Sequence, residues 1–412
     1  MSLSTVSGAR VVIVGGGPAG LMCGFLLARA GVSVTVLQKH GDFLRDFRGD
    51  TIHPSTLEVM HELGLLEEFL KRPHQEVRHA EGDLGDTRIR VADFTHLPTH
   101  CKFLAFMPQW DFLDFLAEKA RRFPSFSLRM NTEGARLIRE GGRTVGVEVE
   151  SGGHAQRLDA DLVVGADGRD SAMRVDAGLK PIDLGAPMDV LWFRLAFRHG
   201  ESQAVLGRIE RGGVLVMLFR GDYWQCALII RKGTFEHVRR EGLEAFRRRV
   251  TTLAKREGAD ELGSWDDVKL LTVKVNRLKE WALPGLLFIG DAAHAMSPIG
   301  GVGINLAIQD AVATANLLGP ALRRGPPSLE ELRSVQRRRH FPTWATQALQ
   351  LTIQNRAVDP ILASGKTPGV PAIIRLAQRF PILQRIPAYL IGVGFRPEHV
   401  RRASKANSEA DT

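Results

Sequence analysis

Hydrophobic positions in this chain fall into short solid runs separated by glycine. Val11-Val12-Ile13-Val14 is such a run, and it predicts a parallel strand covered on both faces over Arg10–Val14. Leu21–Ala30 has helical spacing, Gly31 stops it, and β-branched Ser33–Leu37 predicts a second strand. Two later runs repeat the first signal, Asp161–Gly165 and Gly285–Ile289. Between them the pattern changes to period-two and apolar segments, Val190–Phe197, Val214–Phe219 and Trp224–Arg231, which predict an antiparallel sheet. Trp110–Ala120 is amphipathic, and Leu329–Ala357 reads mostly as helix beyond the boundary at Pro326-Pro327.

The turn after the first strand carries chemistry. Gly15-Gly16-Gly17-Pro18-Ala19-Gly20 stands between strand and helix, the setting that makes GxGxxG a dinucleotide cradle. Gly15 serves the tight turn, Gly17 lets backbone approach a pyrophosphate, and Gly20 lets the helix pack on the strand. The helix start, with Pro18 and Ala19, offers free N–H groups and partial positive charge. The second strand ends at Gln38-Lys39, where an acid would hold ribose hydroxyls. Gln38 accepts more weakly than a carboxylate and does not repel a 2′-phosphate, so these two residues alone admit NADP.

Two distant motifs favour a flavin. Asp167-Gly168 follows the Asp161–Gly165 run, and Gly290-Asp291 follows Gly285–Ile289. Each puts a carboxylate at the carboxyl end of a parallel strand, where open α/β sheets bind ligands. After the second comes Pro298-Ile299-Gly300-Gly301-Val302-Gly303-Ile304-Asn305, a glycine loop feeding a helix. Its N–H groups can approach a ring, and the positive helix end can face charge on a reduced flavin.

These three motifs, in this order over residues 8–325, resemble the FAD-dependent aromatic hydroxylases, single-component flavoprotein monooxygenases with the para-hydroxybenzoate hydroxylase fold. The resemblance implies an α/β fold. A Rossmann-like FAD-binding domain occupies 1–75, 101–182 and 281–325. A mostly antiparallel substrate domain is inserted at 76–100 and 183–280, and a helical C-terminal region spans 326–412. It also implies that Asp291 binds the flavin's ribityl chain and that Asp167 serves both FAD and NAD(P)H. Arg48 and Gln109 match flavin-contacting positions. Gln38 departs from the family's usual Glu. The implied cycle has NAD(P)H reduce FAD, then O2 form a C4a-hydroperoxide that hydroxylates an electron-rich ring. No second GxGxxG unit appears for the nicotinamide, as in this family.

No catalytic base is assignable; His53 and Pro298 are the flavin-proximal candidates, and His294 reads as structural. Trp192, Met217, Phe219 and Trp224 are candidates for facing the substrate. The apolar bias of their strands points to a bulky lipophilic or polycyclic substrate. The alternative is a flavin-dependent reductase or epoxidase of a lipophilic alkene, which O2 consumption coupled to substrate would separate. A halogenase is disfavoured, since no two Trp are two residues apart.

Composition changes the picture in one place. The 412 residues carry 55 Lys+Arg and 46 Asp+Glu, a net of +9. All of that excess lies in 320–412, which hold 15 basic and 6 acidic residues. The basic pI is therefore a property of the tail and gives no reason to expect nucleic acid. The readings open for the tail are packing across the two domains or as a lid, a peripheral membrane contact, or a dimer contact, leaving monomer or homodimer. Cys23, Cys101 and Cys226 form no CxxC pair, so no metal or dithiol centre is expected. With no leader-like start and no long apolar run, a cytoplasmic protein is expected.

Overall fold

The computed structural model describes residues 8–44, 51–199, 206–210, 213–256, 258–364 and 369–401. A six-stranded sheet lies at the centre of the first layer, in the order Ala282–Leu283, Leu286–Phe288, Leu162–Gly165, Arg10–Val14, Ser33–Leu37, Phe126–Arg129. The five strands from Leu286–Phe288 onward are parallel, and Ala282–Leu283 closes that edge antiparallel. Both faces are covered, which is why its strands are solid apolar runs. Helices Pro18–Arg29, Gln109–Ala120 and Gly303–Leu322 pack together on one side. On the other lies a three-stranded antiparallel sheet, Thr132–Glu140, Arg143–Ser151 and His154–Asp159.

The glycines of the first turn are sterically required. A Cβ on Gly15, at φ +112°, would lie 2.3 Å from the Ala166 carbonyl oxygen, and one on Gly20 would lie 1.9 Å from the Gly15 carbonyl oxygen. These contacts bring the first turn, the Asp167 loop and the helix start to one point.

The second layer is a seven-stranded sheet, in the order Lys269–Leu271, Met188–Ala196, Tyr223–Arg231, Gly213–Phe219, Leu206–Glu210, His79–Leu84, Thr87–Asp93. It is antiparallel except where His79–Leu84 runs parallel to Leu206–Glu210. Residues 79–93 therefore complete a sheet built mainly from 188–271.

The C-terminal chain runs back over both layers. Helix Leu329–Ile353 packs along Gly303–Leu322, a π-helical turn continues it over Gln354–Val358, and short helices Ala372–Arg379 and Arg385–Gly392 follow. Gln378 donates to Arg90 O at 2.7 Å and accepts from Arg90 N at 3.4 Å, covering the sheet's outermost strand. The tail thus packs against both layers. The three cysteines are free and buried, and burial pushes Cys23 up to about 12 and Cys101 to about 11. Among the described residues no helix is long and apolar enough to cross a membrane, and no group of His, Cys, Asp and Glu is arranged to hold a metal.

Candidate flavin site and its apolar roof

Two helix N-termini meet at the carboxyl end of the central sheet. Neither Pro18–Arg29, capped by Gly17, nor Gly303–Leu322, capped by Val302, has a side chain bonded to its first turn. Their N–H groups remain available to an anion. Gly290, at φ +59°, joins them: a Cβ there would lie 2.9 Å from Ala19 Cβ and 3.3 Å from Ala307 Cβ. Gly17, by contrast, faces open space. The cradle is thus closed where helices touch and open where a pyrophosphate would lie.

The two carboxylate motifs are clamped by Arg174. Its guanidinium is buried and donates to Ala292 O at 2.9 Å and to Arg169 O at 2.7 Å. Arg169 in turn pairs with the half-buried Asp291 at 3.6 Å. Asp167 accepts from Met173 N at 3.1 Å through Oδ2, while its Oδ1 is buried with no hydrogen bond. Burial pushes the Asp167 carboxyl up, against the bonds from Ser171 and Met173. An unsatisfied buried carboxylate oxygen at a strand's carboxyl end fits a ligand hydroxyl. Together with the open Gly17 cradle, it fits FAD.

The glycine loop is held from three sides. Gly300 and Gly301 both have positive φ, +76° and +64°. A Cβ on Gly301 would press Thr51 Oγ1 at 3.1 Å. Fully buried His53 faces Gly301 O at 3.0 Å through Nε2 and Ile391 O at 2.7 Å through Nδ1. A neutral imidazole donates to one of these two carbonyls, and the ring lies between loop and tail. Burial lowers its pKa, against those two carbonyls. From below, Gln350 Nε2 donates to Ser297 O at 2.9 Å and Ile299 O at 2.8 Å, Gln347 to Ala295 O at 3.1 Å, and Gln354 to Ser297 Oγ at 2.8 Å. Pro298 is therefore fixed on both flanks.

Other expected residues divide. Gln38 lies against Gly16 at the strand end, while Lys39 instead pairs with Glu133 on the surface at 3.8 Å. Gln109 begins its helix. Asn305 Oδ1 accepts from Ser55 and Thr56, both at 2.8 Å, so its side chain braces a neighbouring helix; the N–H groups of Gly303, Ile304 and Asn305 stay at the helix start. Arg48 lies outside the described residues. His294 is structural: its Nε2 bonds the fully buried Asp310 at 2.6 Å. Asp310 also accepts from Gly290 N at 3.0 Å and from Arg339 Nε at 3.0 Å.

Pleating sorts the four substrate candidates. Met217, Phe219 and Trp224 point to the outer face, into a core with Phe246, Val250 and Leu253. Their expected substrate-facing role is corrected by this alternation, since neighbours along a strand face opposite ways. Trp192 is on the inner face with Val190, Val216 and Ala227, and Leu351 and Ile391 of the tail pack beside it. Sequence reading missed Arg174, Asp310, Arg339 and the three glutamines. The signal for the last four was a polar stripe at helical spacing, residues 339, 343, 347, 350 and 354.

With this geometry, the chain belongs to a known group of flavoproteins. The family described as FAD binding domain matches residues 8–348. The chain is 34% identical over 388 residues to a 6-methylpretetramide 4-monooxygenase of Streptomyces rimosus, covering 92% of this chain and 90% of that one. It is 26% identical to a para-nitrophenol 4-monooxygenase of a Pseudomonas species, covering 80% and 83%. In fold it is similar to OxyS anhydrotetracycline hydroxylase of S. rimosus (TM-score 0.72, 23% identity, 93% of this chain and 76% of that one). It is also similar to pqsL, a probable FAD-dependent monooxygenase of Pseudomonas aeruginosa (TM-score 0.72, 22% identity, 87% and 99%). It is an FAD-dependent monooxygenase of the aromatic hydroxylase family.

Proposed function

We propose that this enzyme uses NAD(P)H and O2 to hydroxylate a bulky, lipophilic aromatic or polycyclic small molecule. The observation that carries the reading is the apolar inner face, Trp192, Val216 and Ala227, roofed by Leu351 and Ile391 beside the glycine loop. Fused rings need apolar area, which Trp192, Val216 and Ala227 offer; Arg194 and Gln225 share that face farther along the strands. The relative that acts on 6-methylpretetramide supports the same class.

The bound flavin would supply hydride acceptance and oxygen activation. The protein's part is binding, orientation and exclusion of water. The N–H groups at Gly17–Gly20 would take the pyrophosphate, and Asp167 and Asp291 would take hydroxyls between it and the ring. With FAD bound, the uncapped start of the Gly303–Leu322 helix would offer its positive end to negative charge developing on the ring. The glutamine row holds Pro298 and Gly300 rigid, so this dipole needs no reorganisation. The tail residues Leu351 and Ile391 would help keep water from the reacting centre.

A ligand-dependent NAD(P)H oxidation screen on the FAD-loaded protein, with product masses, tests the reading. Polycyclic phenols are expected to stimulate oxidation and gain one oxygen atom. Stimulation by small hydroxybenzoates alone, or turnover of alkenes alone, would overturn it.

A further inference from the structure

The outer side of the tail hairpin has the wrong chemistry for a protein facing only water. In helix Ala372–Arg379 and just past it, Ile373, Leu376 and Phe380 share one face at helical spacing and are exposed, Ile373 at 76%. Ile382, Ile386 and Tyr389 continue the row through Arg385–Gly392, with Ile382 at 64% and Ile386 at 59%. The hairpin is anchored from within rather than by this row. Gln378 bonds the Arg90 backbone, Gln384 bonds Ala377 O at 3.0 Å, and Ala388 is buried against Phe94 and Phe106.

The charges beside the row have a single sign. Arg375, Arg379 and Arg385 are exposed, and none has an ion pair among the described residues. From residue 360 to 397 the chain contains no Asp or Glu. A two-fold contact with a second copy would set these arginines against each other. An anionic surface would neutralise all three while taking up the apolar row.

We propose that residues 372–389 dock this enzyme on the headgroup region of an anionic lipid bilayer. A short amphipathic segment with apolar and basic residues lies in the interface plane and does not cross. The buried side of the same hairpin carries Ile391 and Gly392, whose carbonyls meet His53 Nδ1 at 2.7 Å and Ser55 Oγ at 3.0 Å. The docked surface is thus backed directly by the site's wall. This adds a partner to the function proposed above and is independent of which ring compound is turned over.

Flotation of the FAD-loaded full chain with phosphatidylcholine vesicles, with and without one part in three of phosphatidylglycerol, tests the inference. The protein is expected to float with the anionic vesicles and to remain free with neutral ones. An arginine near an anionic surface raises partitioning about fivefold, so Arg375→Gln/Arg379→Gln/Arg385→Gln is expected to lose about a hundredfold. Ile373→Ser/Ile382→Ser/Ile386→Ser is expected to abolish flotation. Both variants change exposed side chains, and flavin absorbance and thermal melting report that they are folded. Amide exchange of the unaltered protein is expected to slow over 372–389 when anionic vesicles are added. Absence of flotation, equal flotation of the variants, or a dimer that the serine variant dissociates would overturn the inference. None of these readouts requires turnover, so they leave the hydroxylase reading untouched.

Discussion

Arg339 Nε donates to Asp310 Oδ1 at 3.0 Å in an ion pair with both side chains buried, and this pair ties the tail to the flavin loop. Asp310 holds Gly290 N on one side; Arg339 reaches Glu398 at 3.4 Å on the other. Removing the cation leaves a buried charge only partly met by His294, which costs about 3–5 kcal/mol. Arg339→Ala is therefore expected to lower the chemical-denaturation stability of the FAD-loaded protein by about that amount. Arg338→Ala removes one partner of the buried Glu398, but Arg339 still faces that carboxylate, so a smaller loss is expected.

The same carboxylate gives a pH dependence. Burial alone pushes the Asp310 carboxyl up, but His294, Arg339 and the Gly290 N–H outweigh it and hold it below its ordinary value of 3.8. A depressed carboxyl stabilises the fold fully above the unfolded value and loses that contribution as pH falls through the lower native value. Unfolding free energies measured from neutral pH into acid are expected to drop steeply below about pH 4. Asp310→Asn is expected to flatten this limb and to be less stable at neutral pH. An unchanged acid limb in the variant would show that Asp310 is not its source.

The glycines of the first turn separate folding from binding. Gly20→Ala drives a Cβ into the Gly15 carbonyl and is expected to cost more than about 3 kcal/mol in the melting of the apoprotein. A Cβ on Gly17 would meet nothing within 4 Å, and Gly17→Val is expected to leave apoprotein stability within about 1 kcal/mol while sharply reducing bound FAD. Flavin content per chain and apoprotein melting, measured together, check both.

Much of this was legible in the sequence because the parallel strands are buried on both faces. Solid runs such as Val11–Val14 admit few other readings, and the glycines beside them are fixed by backbone approach. The substrate layer was only half legible. Strand positions came through, but Met217 and Trp224 are as apolar as Trp192, and which face is buried in the outer core depends on the helix Leu243–Ala254 farther along the chain. Of the consecutive Arg337, Arg338 and Arg339, only the last is fully buried, bonded to a carboxylate 29 positions away, and nothing in the local sequence singles it out.

Gln38 offers a test of affinity. Its side chain lies against Gly16, at the end of the second strand. A carboxylate there would accept the ribose hydroxyls more strongly, by about 1 kcal/mol. Gln38→Glu is expected to tighten FAD roughly fivefold in titrations of the apoprotein. Equal or weaker binding would show that this residue does not meet the ribose.

The two faces of the substrate sheet are expected to respond differently. Trp192→Ala opens the inner face and is expected to raise KM for fused-ring substrates about tenfold. Met217→Ala empties the outer core and is expected to cost about 2–4 kcal/mol in stability with KM unchanged. Steady-state kinetics and denaturation of both variants check the assignment.

In the proposed function the FAD-loaded enzyme inserts one atom of O2 into a polycyclic aromatic ring. Its most direct test is product mass after turnover under isotopically heavy dioxygen with NAD(P)H. One heavy oxygen atom per product molecule is expected. A product carrying oxygen from water, or NAD(P)H oxidation that yields hydrogen peroxide and no oxygenated product with any polycyclic compound, would contradict it.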